Sequence, residues 1–290
     1  MKRHIETITM LALAALVAGC GGGDPNEARV LLEFGEQGTR EGRFSTPRAM
    51  AATAERLYIV DKSPRIQIFD PADGSHLATW PIERTARGYP TGLAVTPDGG
   101  LAVAETHNFR IRIRDRDGTV LRDIGSEGSG PGEFTYVTDV AFDSTGCMYV
   151  SEHGLVNRVQ KFGPDGRFLL AWGENGDAPG RFNRPQALAV DARDHVYVAD
   201  AANHRVQEFT ADGEYIGSFG SAGREPGNML YPYDLDIGPD ETIIVCEYGT
   251  NRVQIFDRDG RSLACIGRPG RNPGELASPW AAAWIEGRGL

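Results

Sequence analysis

Residues 198 to 220 read VADAANHRVQEFTADGEYIGSFG and bring Asp200, His204 and Arg205 within six positions. An acid, a base and an anion clamp at that spacing would suit proton transfer to a substrate held by its charge. The cluster is not unique, however. Equivalent acids stand at Asp61, Glu105, Glu152, Asp200 and Glu247, 44 to 48 residues apart, and Arg65, Arg110, Arg158, Arg205 and Arg252 keep the same register. One active face has no use for five identical catalytic clusters, so each acid and arginine is expected to be a structural pair satisfying polar groups between repeats. At the His204 position the other copies carry Pro64, Phe109, Asn157 and Asn251, which predicts a surface residue rather than a base or ligand.

The elements that position these residues follow from the repeat. Each unit divides into four short segments, in the fourth copy PQALAVD, HVYVAD, RVQEFTA and EYIGSFG, whose apolar residues alternate with period two as in strands. Asp73-Gly74, Asp117-Gly118, Asp165-Gly166, Asp212-Gly213 and Asp259-Gly260 sit between the third and fourth segments, where a tight hairpin needs positive φ. The DRDG at 115 and 257 is therefore read as a turn and not as a calcium loop, because the remaining ligand positions are missing. Four antiparallel strands in about 45 residues make one β-propeller blade, which must stack on its neighbours to cover both faces.

The pattern of proline, small apolar strand, VAD, NHRVQ-F, DG and a closing PGEF (131), PGRF (179), PGNM (226) or PGEL (273) resembles the NHL repeat over residues 28–290. That resemblance implies an all-β, six-bladed propeller. Five units are complete. RVLLEFG at 29–35 aligns with an outermost strand and SPWAAAWIEGRGL at 278–290 with an innermost one. The expectation is a sixth blade shared between the two ends and incomplete, lacking about one hairpin.

Function is then sought in what varies where the inner strands begin. After the strand-opening proline, or its equivalent, come Arg48, Thr91, Thr138, Gln186, Tyr233 and Trp280; the next residue is small except for Asp139 and Asp234. Arg48, Asp139, Gln186, Tyr233, Asp234 and Trp280 are the candidate ligand-binding residues, a set that could hold a polar ligand against aromatic faces at the channel mouth. The plain alternative is a water-filled channel. No cofactor is expected; the alternative is Ca or Zn serving a lyase or hydrolase, with Asp139 and Asp234 as carboxylate candidates. Amidating lyases among similar propellers carry zinc-binding histidines where the inner strands begin. Here those positions read PRAMA, PTGLA, VTDVA, PQALA, PYDLD and PWAAA, without histidine. His107 and His153 share a loop type on adjacent blades but lack a third ligand, and no GxSxG nucleophile motif occurs.

Composition bounds the rest. A chain of 290 residues, 40% hydrophobic and 24% charged, is a folded protein, and 37 Gly with 17 Pro suit a turn-rich all-β chain. A net charge of -10 argues against a phosphate-backbone binder, so no nucleic-acid partner is expected. MKRH, the apolar ITMLALAALVAG and the small residues before Cys20 resemble a bacterial lipoprotein signal covering 1–19, followed by a flexible tether at 20–27. The resemblance implies lipidation of Cys20 and anchoring in the bacterial cell envelope, with Gly21 pointing to the outer membrane or a periplasm-facing site. Partners would be the membrane, through the lipid, and a protein, peptide, glycan or small-molecule ligand. Cys147, Cys246 and Cys265, an odd number, argue against a disulfide framework.

Overall fold

The computed structural model describes residues 12–16, 29–83, 88–285 and 289–290. Its five four-stranded antiparallel sheets follow one another in chain order, each built as a meander. Blade one comprises Ala49–Ala52, Leu57–Val60, Arg65–Phe69 and His76–Pro81. Blade two comprises Gly92–Val95, Leu101–Glu105, Arg110–Arg114 and Val120–Ile124. Blade three comprises Tyr136–Phe142, Met148–His153, Arg158–Phe162 and Phe168–Trp172. Blade four comprises Pro185–Val190, Val196–Asp200, Arg205–Phe209 and Tyr215–Phe219. Blade five comprises Pro232–Ile237, Ile243–Glu247, Arg252–Phe256 and Ser262–Ile266.

The core lies between sheets, as the repeat requires. Tyr58, Val60 and Ile66 of blade one pack with Leu93, Leu101 and Val103 of blade two, and Tyr197 and Val206 of blade four pack with Ile243 and Val245 of blade five. Second strands such as VYVAD are buried on both faces, whereas outer strands alternate between exposed and half-buried residues.

The expected acid–arginine pairs are present and do more than pair. Arg205 Nε donates to Asp200 Oδ2 at 2.9 Å while its far nitrogen donates to the carbonyls of Ala178 and Arg181, each at 3.0 Å. Asp200 Oδ1 accepts the Asn183 N–H, and Gln207 donates to the Arg181 carbonyl while accepting from the Gly180 N–H. Acid, arginine and glutamine together hold the loop that leads in from the preceding blade. Glu152, Arg158 and Gln160 do the same in blade three, as do Glu247, Arg252 and Gln254 in blade five. Blade two departs: Arg112 replaces the glutamine and donates to both oxygens of Asp123 at 2.8 Å.

The held loop carries the aromatic of the PGRF motif into the core. Phe44, Phe134 and Phe182 are fully buried beneath Gly35, Gly125 and Gly173, whose φ values are +91°, +100° and +95°. A Cβ on Gly173 would lie 2.4 Å from the Phe182 ring, so this glycine is required by close approach as well as by conformation.

The six-blade expectation is corrected: the described residues form five four-stranded blades. Beyond blade five, residues 278–284 run without strand pairing, although the Ala282 and Trp284 N–H groups donate to Asp234 Oδ2 and Asp236 Oδ2 of the blade-five inner strand. Arg29–Phe34 pairs instead with Ala12–Leu16, and Phe34 lies against Gly74 of blade one as Trp80 lies against Gly118 of blade two. The physical reason lies in the pairing: Arg29–Phe34 bonds to Ala12–Leu16 and the 278–284 backbone to carboxylates of blade five rather than to a strand, so among the described residues the two stretches do not join one four-stranded sheet. Cys20 and the 20–27 tether lie outside the described residues.

Arg205→Ala leaves Asp200 fully buried without its counter-ion, and is expected to cost about 3 kcal/mol, as removal of one partner from a buried pair does. Chemical denaturation of the variant beside the parent measures it; a loss below about 0.5 kcal/mol would reduce the clamp to a surface contact.

Candidate functional site

The inner strands of all five blades begin on one face, and the residue before several of their opening prolines is left-handed: Thr46, Arg184 and Tyr231, with Ser278 at the equivalent place after blade five. These φ values of +53° to +59° need outside support. His204 provides it for Tyr231, accepting its N–H through Nδ1 at 3.1 Å and meeting its ring edge-on at 4.6 Å. Asn251 accepts the Ser278 N–H in the same way. The His204 position is thus an acceptor for the next blade rather than an indifferent surface position. Burial holds the His204 pKa below the ordinary imidazole value, which keeps that nitrogen unprotonated.

Three of the predicted ligand residues come together on this face. Arg48 from blade one lies over the Trp280 ring, 4.5 Å from its centroid, and Tyr233 of blade five meets Trp280 at 5.0 Å. Tyr248 completes the group, stacked on Tyr233 at 4.7 Å with 19° between planes and edge-on to Trp280 at 5.7 Å. Sequence reasoning passed over Tyr248; the available signal was an aromatic side chain directly after the repeated acid Glu247, on the loop that faces the strand starts. The Arg48 guanidinium is half-buried, its Nε has no hydrogen-bond partner, and burial lowers its pKa.

Asp139 and Asp234 lie further along the inner strands and are buried. Asp139 Oδ2 accepts the Leu188 N–H of blade four at 2.9 Å, and Asp234 Oδ2 accepts the Ala282 N–H at 2.9 Å. Asp139 thus satisfies a backbone donor on the next inner strand and Asp234 one on the unpaired segment after blade five, a structural task in itself. Gly92 makes room for the first: a Cβ there would meet Asp139 Oδ1 at 2.4 Å. Desolvation raises the Asp139 pKa to about 7, with the Asp236 charge adding to it. Asp234 is held well above the carboxylate range by burial and by Asp139, and Asp236 is raised to about 6 by burial. Asp236 was missed in the sequence although it stands two residues after Asp234 and so shares its strand face.

Gln186 is buried at the start of the blade-four inner strand, and among the described residues no hydrogen bond or ring contact joins it to the Arg48 group. Thr91 and Thr138 turn out to be inter-blade links: Thr91 donates to the Thr138 carbonyl at 2.9 Å and Thr138 to the Pro185 carbonyl at 2.8 Å. His107 and His153 flank Tyr136, with centroids at 5.5 and 5.8 Å from it. Burial and the nearby Arg184 charge push the His153 pKa down to about 4, and burial with the Arg48 charge lowers that of His107. Both rings are neutral at pH 7. Among the described residues no three His, Cys, Asp or Glu side chains converge as a metal-ligand set.

A half-buried arginine over one ring of a three-ring aromatic cluster, set on the strand-start face of a stacked-blade ring, is a site for recognition by charge and flat apolar contact. Residues 88–113 and 182–209 match the NHL repeat, and they lie within a β-propeller fold. A mouse peptidyl-glycine alpha-amidating monooxygenase is 35% identical over 125 residues, which is 39% of this chain and only 13% of that protein's length. A chain of a nidogen/laminin complex superposes with a TM-score of 0.62 at 18% identity, covering 88% of this chain and 90% of that one. A catalytically inactive virginiamycin B lyase from Staphylococcus aureus, solved with quinupristin, gives 0.60 at 15% identity, covering 83% and 75%. At these identities the two structures establish the fold alone.

With a folded-state pKa near 7 against 3.8 in the unfolded chain, Asp139 keeps a proton on folding that the unfolded chain has lost, so its contribution to stability falls as pH rises from about 4 through 7. Asp139→Asn is expected to flatten that decline and to raise Tm at pH 8 by about 3 °C, the shift that about 1 kcal/mol gives in a chain of this size. Calorimetric scans between pH 5 and pH 8 check it; a parallel pH profile for parent and variant would place the Asp139 pKa in the ordinary range.

Proposed function

We propose that the chain is an extracytoplasmic binding module, anchored to the cell envelope through lipidated Cys20, that holds a ligand where its inner strands begin. The observation that carries this reading is the convergence of Arg48, Tyr233, Tyr248 and Trp280 from separate parts of the ring, with the arginine half-buried and without a carboxylate partner among the described residues. Burying an unpaired guanidinium is unfavourable, and its cost is offset when a ligand supplies the counter-charge. The repeated acids and arginines are committed to holding loops, which leaves this nonrepeating group as the recognition surface. The protein, peptide, glycan or small-molecule class of ligand follows from the same chemistry.

A divalent-metal-dependent lyase or hydrolase is the second reading. It draws on the buried Asp139 and Asp234, whose charges oppose each other, and on the fold shared with a lyase. The two readings separate by experiment. In the binding reading, metal analysis of the purified chain finds no stoichiometric metal, and Asp139→Ala with Asp234→Ala changes no turnover; a bound metal lost in either variant would favour the enzyme. For the anchor, Cys20→Ser is expected to move the protein from the detergent-rich to the aqueous phase on Triton X-114 partitioning. An unchanged distribution would remove the lipid from the proposal.

A further inference from the structure

Each blade's repeated arginine has its acid: Arg65 with Asp61, Arg110 with Glu105, Arg158 with Glu152, Arg205 with Asp200 and Arg252 with Glu247. Arg114, also buried, has an Nε without a partner as Arg48 does, but its Nη1 and Nη2 donate to the carbonyls of Gly118 and Pro81. Arg48 is different. It is half-buried, its Nε has no partner, and among the described residues no carboxylate lies within ion-pair distance of it. Glu275, which lines the same cavity, is engaged elsewhere: it accepts from Arg268 Nε at 3.2 Å and from the Arg271 and Asn272 N–H groups at 3.0 Å.

Arg48 and Trp280 stand on the wall of a cavity of about 130 Å³ between blade five and blade one. Its other walls are largely apolar, formed by Met50, Leu57 and Ile59 on one side and by Val253, Ile266 and Leu276 on the other. Arg48 is the half-buried cation of this space; the other polar side chains on its wall are those of the exposed Arg271 and of Ser278 and Glu275, the last already engaged. Water is poorly held by apolar walls, whereas an apolar cavity of roughly 150 Å³ accepts a body the size of benzene. The combination selects a ligand with one negative end and a ring-sized apolar body.

We propose that this cavity binds a small organic carboxylate, its carboxylate on the Arg48 guanidinium and its apolar body against the blade-one and blade-five side chains. This deepens the binding reading above and rests on it. A planar guanidinium meets a carboxylate through two parallel N–H···O bonds, and here the fork is already held in place by the Trp280 ring beneath it. An ammonium ligand is repelled by Arg48, and an uncharged ligand leaves the guanidinium without a counter-ion.

Isothermal titration of the purified full chain with benzoate and with hexanoate tests the proposal, with benzyl alcohol, benzylamine and acetate as probes lacking the charge, reversing it or lacking the body. At least one of benzoate and hexanoate is expected to bind at least tenfold more tightly than any of the three controls. Arg48→Gln is expected to weaken it tenfold or more, Arg48→Lys to weaken it less, and Leu57→Phe, which fills the cavity without touching the charge, to weaken it comparably to Arg48→Gln. Circular dichroism and Tm identify any variant that has failed to fold, and the ligand comparison on the parent chain stands without variants. Equal affinity for benzoate and benzyl alcohol, or no heat from either carboxylate, would overturn the assignment. If instead intact-cell crosslinking through the Tyr233 and Tyr248 face captures a specific protein lost in Tyr233→Ala, the binding reading survives that failure. If crosslinking captures nothing and no carboxylate binds, both fall.

Discussion

The carboxylate–arginine–glutamine clamp is the interaction on which the ring depends. A blade of four strands covers neither of its own faces, so the loop entering from the previous blade must be held at a fixed height for the next sheet to stack. Loops carry backbone carbonyls and N–H groups that have to be satisfied once they are covered. Asp200, Arg205 and Gln207 meet that need together, taking the Asn183 and Gly180 N–H groups and the Ala178 and Arg181 carbonyls. With the loop fixed, Phe182 is driven into the core beneath Gly173, and the hydrophobic layer between blades three and four closes around it. A buried carboxylate is tolerated there because every oxygen has a donor.

The same logic explains why the candidate site sits where the repeat breaks. In blades three, four and five the polar groups of the repeat are mutually satisfied, which leaves little chemistry to spare. Between blade five and blade one the four-stranded pattern stops, and residues 278–284 lie along the blade-five inner strand through hydrogen bonds to Asp234 and Asp236. An unpaired Arg48, the Trp280 ring and an apolar cavity are brought together there. The inner-strand acids, by contrast, belong to the ring's own economy of hydrogen bonds: Asp139, Asp234 and Asp236 each accept an N–H from the neighbouring sector, and their pKa values are raised by burial first and, for Asp139 and Asp234, by a neighbouring acid second.

Much of this was legible in the sequence. The repeat, its strands, the Asp-Gly turns and the structural role of Asp200 and Arg205 could be read because period-two alternation and recurring register encode local geometry and stacking directly. Arg48, Tyr233 and Trp280 stand out in the sequence as positions that change while their neighbours repeat, and the structure brings these three side chains together. His204 was misjudged. Its variation suggested indifference, yet His204 and Asn251 both accept an N–H from a left-handed residue 27 positions on, a shared function that different side chains can perform.

What the sequence determined by itself was the blade: its four strands, its clamp and its turn chemistry, all set by contacts within one repeat or between adjacent ones. Only the tertiary structure decided the number of complete blades, the cavity beside Arg48, the pairing of Arg29–Phe34 with Ala12–Leu16, and the inclusion of Tyr248 and Asp236 in their clusters. These depend on how the first and last parts of the ring meet. That meeting joins residues more than 200 positions apart, and no local periodicity carries information across such a distance.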